Sequence, residues 1–138
     1  MTIETRGAIP ERLREAHGAW GFGCDACQEA CPWNRRARRR VPPDREGLRA
    51  RIAPDPEWRC PSLAWVLALS EEEWRAASRG TALRRARYRG LLRNALVAAG
   101  NADAPELIPL VRRHAEGSDE LLAEHARWAL ARLSHHAS

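Results

Sequence analysis

The 138-residue sequence contains no lysine, and all 23 of its basic residues are arginine. Codon bias in a GC-rich genome accounts for this more simply than selection for guanidinium chemistry, so the positions of the arginines carry the information. There is no signal peptide and no apolar span, which argues against a secreted or membrane-bound chain and points to the cytoplasm. Without a secretory context, the four cysteines do not read as a disulfide framework. No Ser/His/Asp arrangement, paired-carboxylate pattern or phosphate-cradling glycine loop is found, and no catalytic residue is assigned. The hydrophobic share of 44% is ordinary, the net charge of +5 is modest, and the length suits one domain.

What is present is a cysteine trio. Cys24, Cys27 and Cys31, the last followed by Pro32, read C-x2-C-x3-C-P, which is the tail of the bacterial ferredoxin pattern C-x2-C-x2-C-x3-C-P. Gly21 stands where the full pattern has its first cysteine. C-x2-C presents two thiolates from one tight loop, and iron takes soft sulfur ligands well. Cys31 lies about one helical turn beyond Cys27, and in two-cluster ferredoxins the cysteine before proline serves the neighbouring cluster. The spacing thus offers at most two thiolates to one cluster and one to another. A radical-enzyme motif has the reverse order. A zinc site needs His17 or a remote histidine as fourth ligand. A thioredoxin-like C-x-x-C needs a βαβ setting that is not found. Cys60 has no partner spacing and reads as a packing or surface thiol.

Arginines concentrate twice. Arg35, Arg36, Arg38, Arg39 and Arg40 follow the cysteines, and Arg75, Arg79, Arg84, Arg85, Arg87, Arg89 and Arg93 lie between Arg75 and Ala102, a stretch with no acidic residue. Guanidinium forks match phosphate oxygens, although charge runs also serve as solvated faces.

The expected fold is mostly α. Pro10 to His17 reads as a short helix ended by Gly18. Prolines 42, 43, 54, 56 and 61 mark 35–61 as an irregular connector. Ser62 is a cap for Leu63 to Leu69, and Ser70-Glu-Glu-Glu73 is a capping box. Helices are expected near 82–99, 105–115 and 119–133, the last capped by Ser118 or Asp119. Leu91-Leu92, Ala95 and Ala98 align with Leu122-Ala123, Ala126 and Ala129 at an offset of 31, a HEAT-like pattern whose small residues suit close stacking. Trp128 is expected in the core and His125 in a structural role.

The run Gly21-Phe-Gly-Cys-Asp-Ala-Cys-Gln-Glu-Ala-Cys-Pro-Trp-Asn34 resembles the second cysteine motif of the epoxyqueuosine reductase family, cobalamin and iron–sulfur enzymes that complete queuosine in tRNA. Thr2 to Pro10 is similar to the segment between the family's two motifs. Gly80-Thr-Ala-Leu-Arg-Arg85 and Leu91-Leu-Arg-Asn-Ala95 resemble its C-terminal helical region. The resemblance implies that Cys24 and Cys27 bind the second 4Fe-4S cluster and Cys31 the first, with the remaining ligands on an upstream polypeptide. The family's cobalamin domain and first four-cysteine motif have no counterpart in the chain, so cobalamin is not expected to bind it and its active site is expected to be incomplete. The implied partner is a tRNA anticodon stem-loop, with Arg79, Arg84, Arg85, Arg87, Arg89 and Arg93 as its contacts.

The expectation is therefore the C-terminal part of an epoxyqueuosine reductase-like oxidoreductase. Its segments are a partial ferredoxin-like double-cluster remnant (1–34), an Arg/Pro-rich connector (35–61) and a HEAT-like helical region (62–138). The alternatives are an inactive split-gene remnant acting as an RNA-binding or scaffold module, and a zinc-stabilised interaction domain.

Overall fold

Proline opens the first helix and glycine closes it. In the computed structural model, which describes residues 2–38, 43, 47, 58 and 60–136, α1 spans Glu11–His17 between Pro10 and Gly18. Helices α2 (Ala26–Ala30) and α3 (Pro32–Arg38) flank Cys31. Then come α4 (Leu63–Ala68), α5 (Glu71–Ala77), a 3-10 turn at Ala82–Ala86 and α6 (Arg87–Asn101). A second 3-10 turn at Pro105–Leu107 leads into α7 (Ile108–Ala115) and α8 (Glu120–His136). The described residues contain no strand, and none of their helices is long and apolar enough to cross a membrane.

Side-chain caps set the helix starts. Ser62 Oγ accepts the Trp65 amide at 3.1 Å, and Ser70 and Glu73 complete a reciprocal capping box. Asp119 Oδ1 accepts the amides of Leu121 and Leu122 at the start of α8. Each such cap is worth about 1 kcal/mol.

Helix α6 forms the centre of the core. Every residue from Gly90 to Gly100 is buried, as befits a helix that is apolar nearly all round. It packs on α8, and α7 closes against α8 beside it. All eight positions of the 31-residue repeat, Leu91, Leu92, Ala95 and Ala98 with Leu122, Ala123, Ala126 and Ala129, are buried. Gly100 marks the closest approach of the two helices. A Cβ there would lie 2.5 Å from the Trp128 ring and 2.9 Å from Ala129 Cα. Trp128 itself is half-buried rather than fully in the core, with the Arg14 and Arg132 guanidiniums 5.7 and 5.4 Å from its ring.

The compact units run differently from the three segments read off the sequence. Residues 1–23 and 62–138 make one unit, and 24–61 make the other. The reason is a row of buried and half-buried side chains that bind the backbone of the N-terminal segment. Arg93 Nη1 donates to the Thr5 and Gly7 carbonyls at 2.7 and 2.8 Å. Asn94 Nδ2 donates to the carbonyls of Thr2 and Gly21, and Asn101 Nδ2 to those of Arg14 and Gly18. His125 Nε2 accepts the Ile9 amide at 3.0 Å while Nδ1 donates to the Leu121 carbonyl, which fixes a neutral imidazole. In the second unit, residues 35–38 continue α3 instead of opening an irregular connector. Most of 39–61, including Arg39 and Arg40, lies outside the described residues.

Candidate metal centre and basic surface

The cysteine loop opens at Gly23, whose φ of +69° lies in the left-handed region that glycine enters without strain. Thr2 Oγ1 donates to the Gly23 carbonyl at 3.0 Å. Cys24 precedes α2, Cys27 lies in its first turn, and Cys31 follows it in an extended conformation, ψ 120°. That conformation follows from Pro32, whose ring disfavours a helical residue before it. Proline then starts α3, where its missing amide hydrogen costs nothing. The elbow is tied by Asn34 Nδ2, which donates to Gln28 Oε1 at 2.5 Å and to the Gln28 carbonyl at 3.1 Å.

All four cysteines are free thiols; Cys24, Cys27 and Cys60 are exposed and Cys31 is half-buried. Among the described residues no three His, Cys, Asp or Glu side chains converge on one point. The donor set is soft and largely exposed, which fits partial ligation of iron–sulfur clusters. His17, the nearby candidate for a zinc ligand, is 4% exposed, and its Nε2–H is donated to the Trp20 carbonyl at 2.8 Å. Burial pushes its pKa below the ordinary imidazole value.

The six arginines of the expected nucleic-acid surface divide into three groups. Arg79, Arg84 and Arg87 are exposed, with no hydrogen bond or ion pair from their side chains among the described residues. Arg85 and Arg89 are exposed but engaged. Arg85 pairs with Glu4 at 2.5 Å, and Arg89 makes a two-pronged contact with Asp119 at 2.5 and 2.7 Å. That contact holds the Asp119 carboxyl below its ordinary range and raises Arg89. Arg93 is the correction: it is 0% exposed and its guanidinium binds backbone carbonyls of the N-terminal segment and Asn94. It cannot meet a phosphate from that position. A signal for this was present, since Arg93 and Asn94 are the only polar side chains between Gly90 and Gly100. The same signal marks Asn94, a clamp residue that the charge pattern alone passed over. In the second unit, Arg36 stacks over Trp33 at 5.9 Å and Arg35 Nε reaches the Glu29 carbonyl at 3.4 Å.

A 4Fe-4S double cluster binding domain family matches residues 1–34. The chain is similar to epoxyqueuosine reductase of Escherichia coli (strain K12), with 39% identity over 131 residues, 95% of this chain and 33% of that protein. Its identity to epoxyqueuosine reductase of Pseudomonas aeruginosa is 42% over 135 residues, 96% of this chain and 35% of that protein. The chain therefore spans about a third of the length of these curated relatives and is homologous to them over nearly all of its own. Its fold matches a crystal structure of epoxyqueuosine reductase with a tRNA-Tyr epoxyqueuosine-modified stem loop. The TM-score is 0.78 at 24% identity, covering 96% of this chain and 34% of that one.

Proposed function

We propose that this chain is the iron–sulfur and RNA-binding part of an epoxyqueuosine reductase-type oxidoreductase of the cytoplasm, acting in the reduction of epoxyqueuosine to queuosine in tRNA. The observation that carries the reading is 39% identity across 95% of the chain. Cys24 and Cys27 supply thiolates to one 4Fe-4S cluster and Cys31 to another. Since the chain offers three thiolates in this motif, the remaining ligands of both clusters come from outside these 138 residues. The clusters, when bound, supply electron transfer. The chain's own part is to supply those thiolates and to present arginines to RNA. No catalytic group and no cobalamin contact are assigned to it. The α6 to α8 region serves as a HEAT-like scaffold, with Arg79, Arg84 and Arg87 as its open cations and Arg85 and Arg89 able to exchange carboxylate for phosphate.

Anaerobic purification, with iron, sulfide and zinc assayed, tests the metal assignment. When the chain is purified together with an upstream polypeptide that supplies the remaining ligands, iron with sulfide and a broad absorbance near ~400 nm, lost in the Cys24→Ser/Cys27→Ser variant, is the expected result. A colourless protein holding one zinc per chain would overturn it. In a queuosine-deficient strain the chain alone is expected not to restore queuosine, and restoration would refute the claim that ligands are missing. Binding of an anticodon stem-loop that persists when all three cysteines are serine, without any iron in the wild type, would leave an RNA-binding module in place of the reductase part.

A further inference from the structure

Beside the core, α5, the start of α6, α7 and the start of α8 enclose an open cleft of about 590 Å³. Its lining combines cations with aromatic rings: Arg75, Arg87 and Arg89 with Trp74 and Tyr88, whose ring centroids are 6.0 Å apart. Two of the three cations have partners within the cleft, Arg75 on Glu71 and Arg89 on Asp119. Arg87 has none among the described residues, so the cleft holds one cation that nothing there neutralises.

Arg87 also has an unusual backbone. It is the only non-glycine residue with positive φ among those described, at φ 60° and ψ 159°. That combination is essentially reserved for glycine and strains an L-residue. Glycine at this position would relieve the strain, yet the chain keeps an arginine there. A second observation comes from the cleft wall. Trp74 is 6% exposed, and its indole Nε1–H, shut away from solvent, has no acceptor among the described residues. Trp74 and the unpaired Arg87 guanidinium border the same cleft, and the guanidinium calls for an acceptor-rich anion.

We infer that this cleft receives a phosphodiester of an RNA strand, with Arg87 as the guanidinium that takes the phosphate and the strained backbone as what directs it there. The inference rests on the RNA-binding reading above and narrows it from a diffuse arginine face to one residue in one cleft. Arg75 and Arg89 line the same cleft, and Tyr88 offers a ring at its wall. Tyr88 Oη already donates to the Leu69 carbonyl at 2.7 Å, so it contributes its face and not its hydroxyl.

The test uses the full chain and a fluorescent RNA hairpin of anticodon stem-loop length, titrated by anisotropy at several salt concentrations, with thermal melts in parallel. Arg87→Gly removes both guanidinium and strain. It is expected to weaken binding about tenfold, lower the slope of log affinity against log salt by roughly 0.7–0.9, and raise the melting temperature by roughly 3 °C. Arg87→Ala keeps the strained backbone and is expected to weaken binding equally without the gain in melting temperature. Arg12→Ala, which removes the same charge from α1 outside the cleft, should change affinity less than about twofold. If the wild type binds the hairpin and Arg87→Gly binds it as tightly, the cleft assignment is wrong while the RNA reading stands. If Arg87→Gly and Arg12→Ala weaken binding equally, diffuse charge explains the effect and the assignment again fails. If the wild type does not bind the hairpin, both readings fall.

Discussion

Changing Asn94 to alanine should loosen the attachment of the N-terminal segment, and the size of the effect follows from the bonds it makes. The side chain is 0% exposed. Its Nδ2 donates to the Thr2 carbonyl at 2.7 Å and the Gly21 carbonyl at 2.8 Å. Its Oδ1 accepts from Arg93 Nη2 at 2.8 Å and Nε at 3.2 Å. Alanine leaves two carbonyls and one guanidinium edge short of a partner, and a buried polar group left unmet costs about 1–3 kcal/mol. Arg93 keeps its bonds to Thr5 and Gly7, and the freed segment regains some water, so the sum falls toward the lower end, about 3–5 kcal/mol. A domain of this size has roughly 5–15 kcal/mol in all, so the variant should unfold at a clearly lower urea concentration. Amide exchange should accelerate first in residues 2–21, ahead of α6 and α8. A loss under about 1 kcal/mol, or exchange that rises uniformly along the chain, would refute the clamp as the reason the N-terminal segment belongs to the helical unit.

Gly100→Ala should destabilise the fold by about 1–3 kcal/mol despite alanine's better helix propensity, because the new methyl meets Trp128 and the Ala129 backbone; an unchanged or raised melting temperature would contradict that close approach. Burial holds His17 and His125 below the ordinary imidazole value of 6.5. The unfolded chain therefore binds protons that the folded one refuses, so stability should be full above about pH 6.5 and fall as pH drops toward the folded values. His125→Gln should reduce the steepness of that fall by roughly half, since two groups contribute. An unaltered pH profile from denaturant melts between pH 7.5 and 5 would show that His125 does not titrate on unfolding.

Helix signals were legible because they are local. Ser62, the Ser70 to Glu73 box and Asp119 act within three residues of themselves, so no tertiary contact is needed to recognise them. The small-residue repeat was legible for a related reason. Alanines at the same spacing in two helices make sense only if the helices approach closely, and Gly100 against Trp128 shows how closely. Charge pattern was a poorer guide. Six arginines in an acid-free stretch read as one surface, yet the partners Glu4 and Asp119 lie elsewhere in the chain, and Arg93 turns inward. Arg87 shows the opposite limit, since nothing in its neighbours announces a glycine-like backbone.

By itself the sequence determined the cysteine trio, its likeness to one reductase family, the helical class and the starts of α1, α4, α5 and α8, because spacing and capping depend on residues close along the chain. Only the tertiary structure decided what the N-terminal segment packs on, which arginines remain open and where Arg87 faces a cleft. Those depend on groups brought in from far along the chain, 92 residues apart for Asn94 and Thr2 and 116 for His125 and Ile9. Such pairings leave no local trace, because a backbone carbonyl looks the same in every sequence.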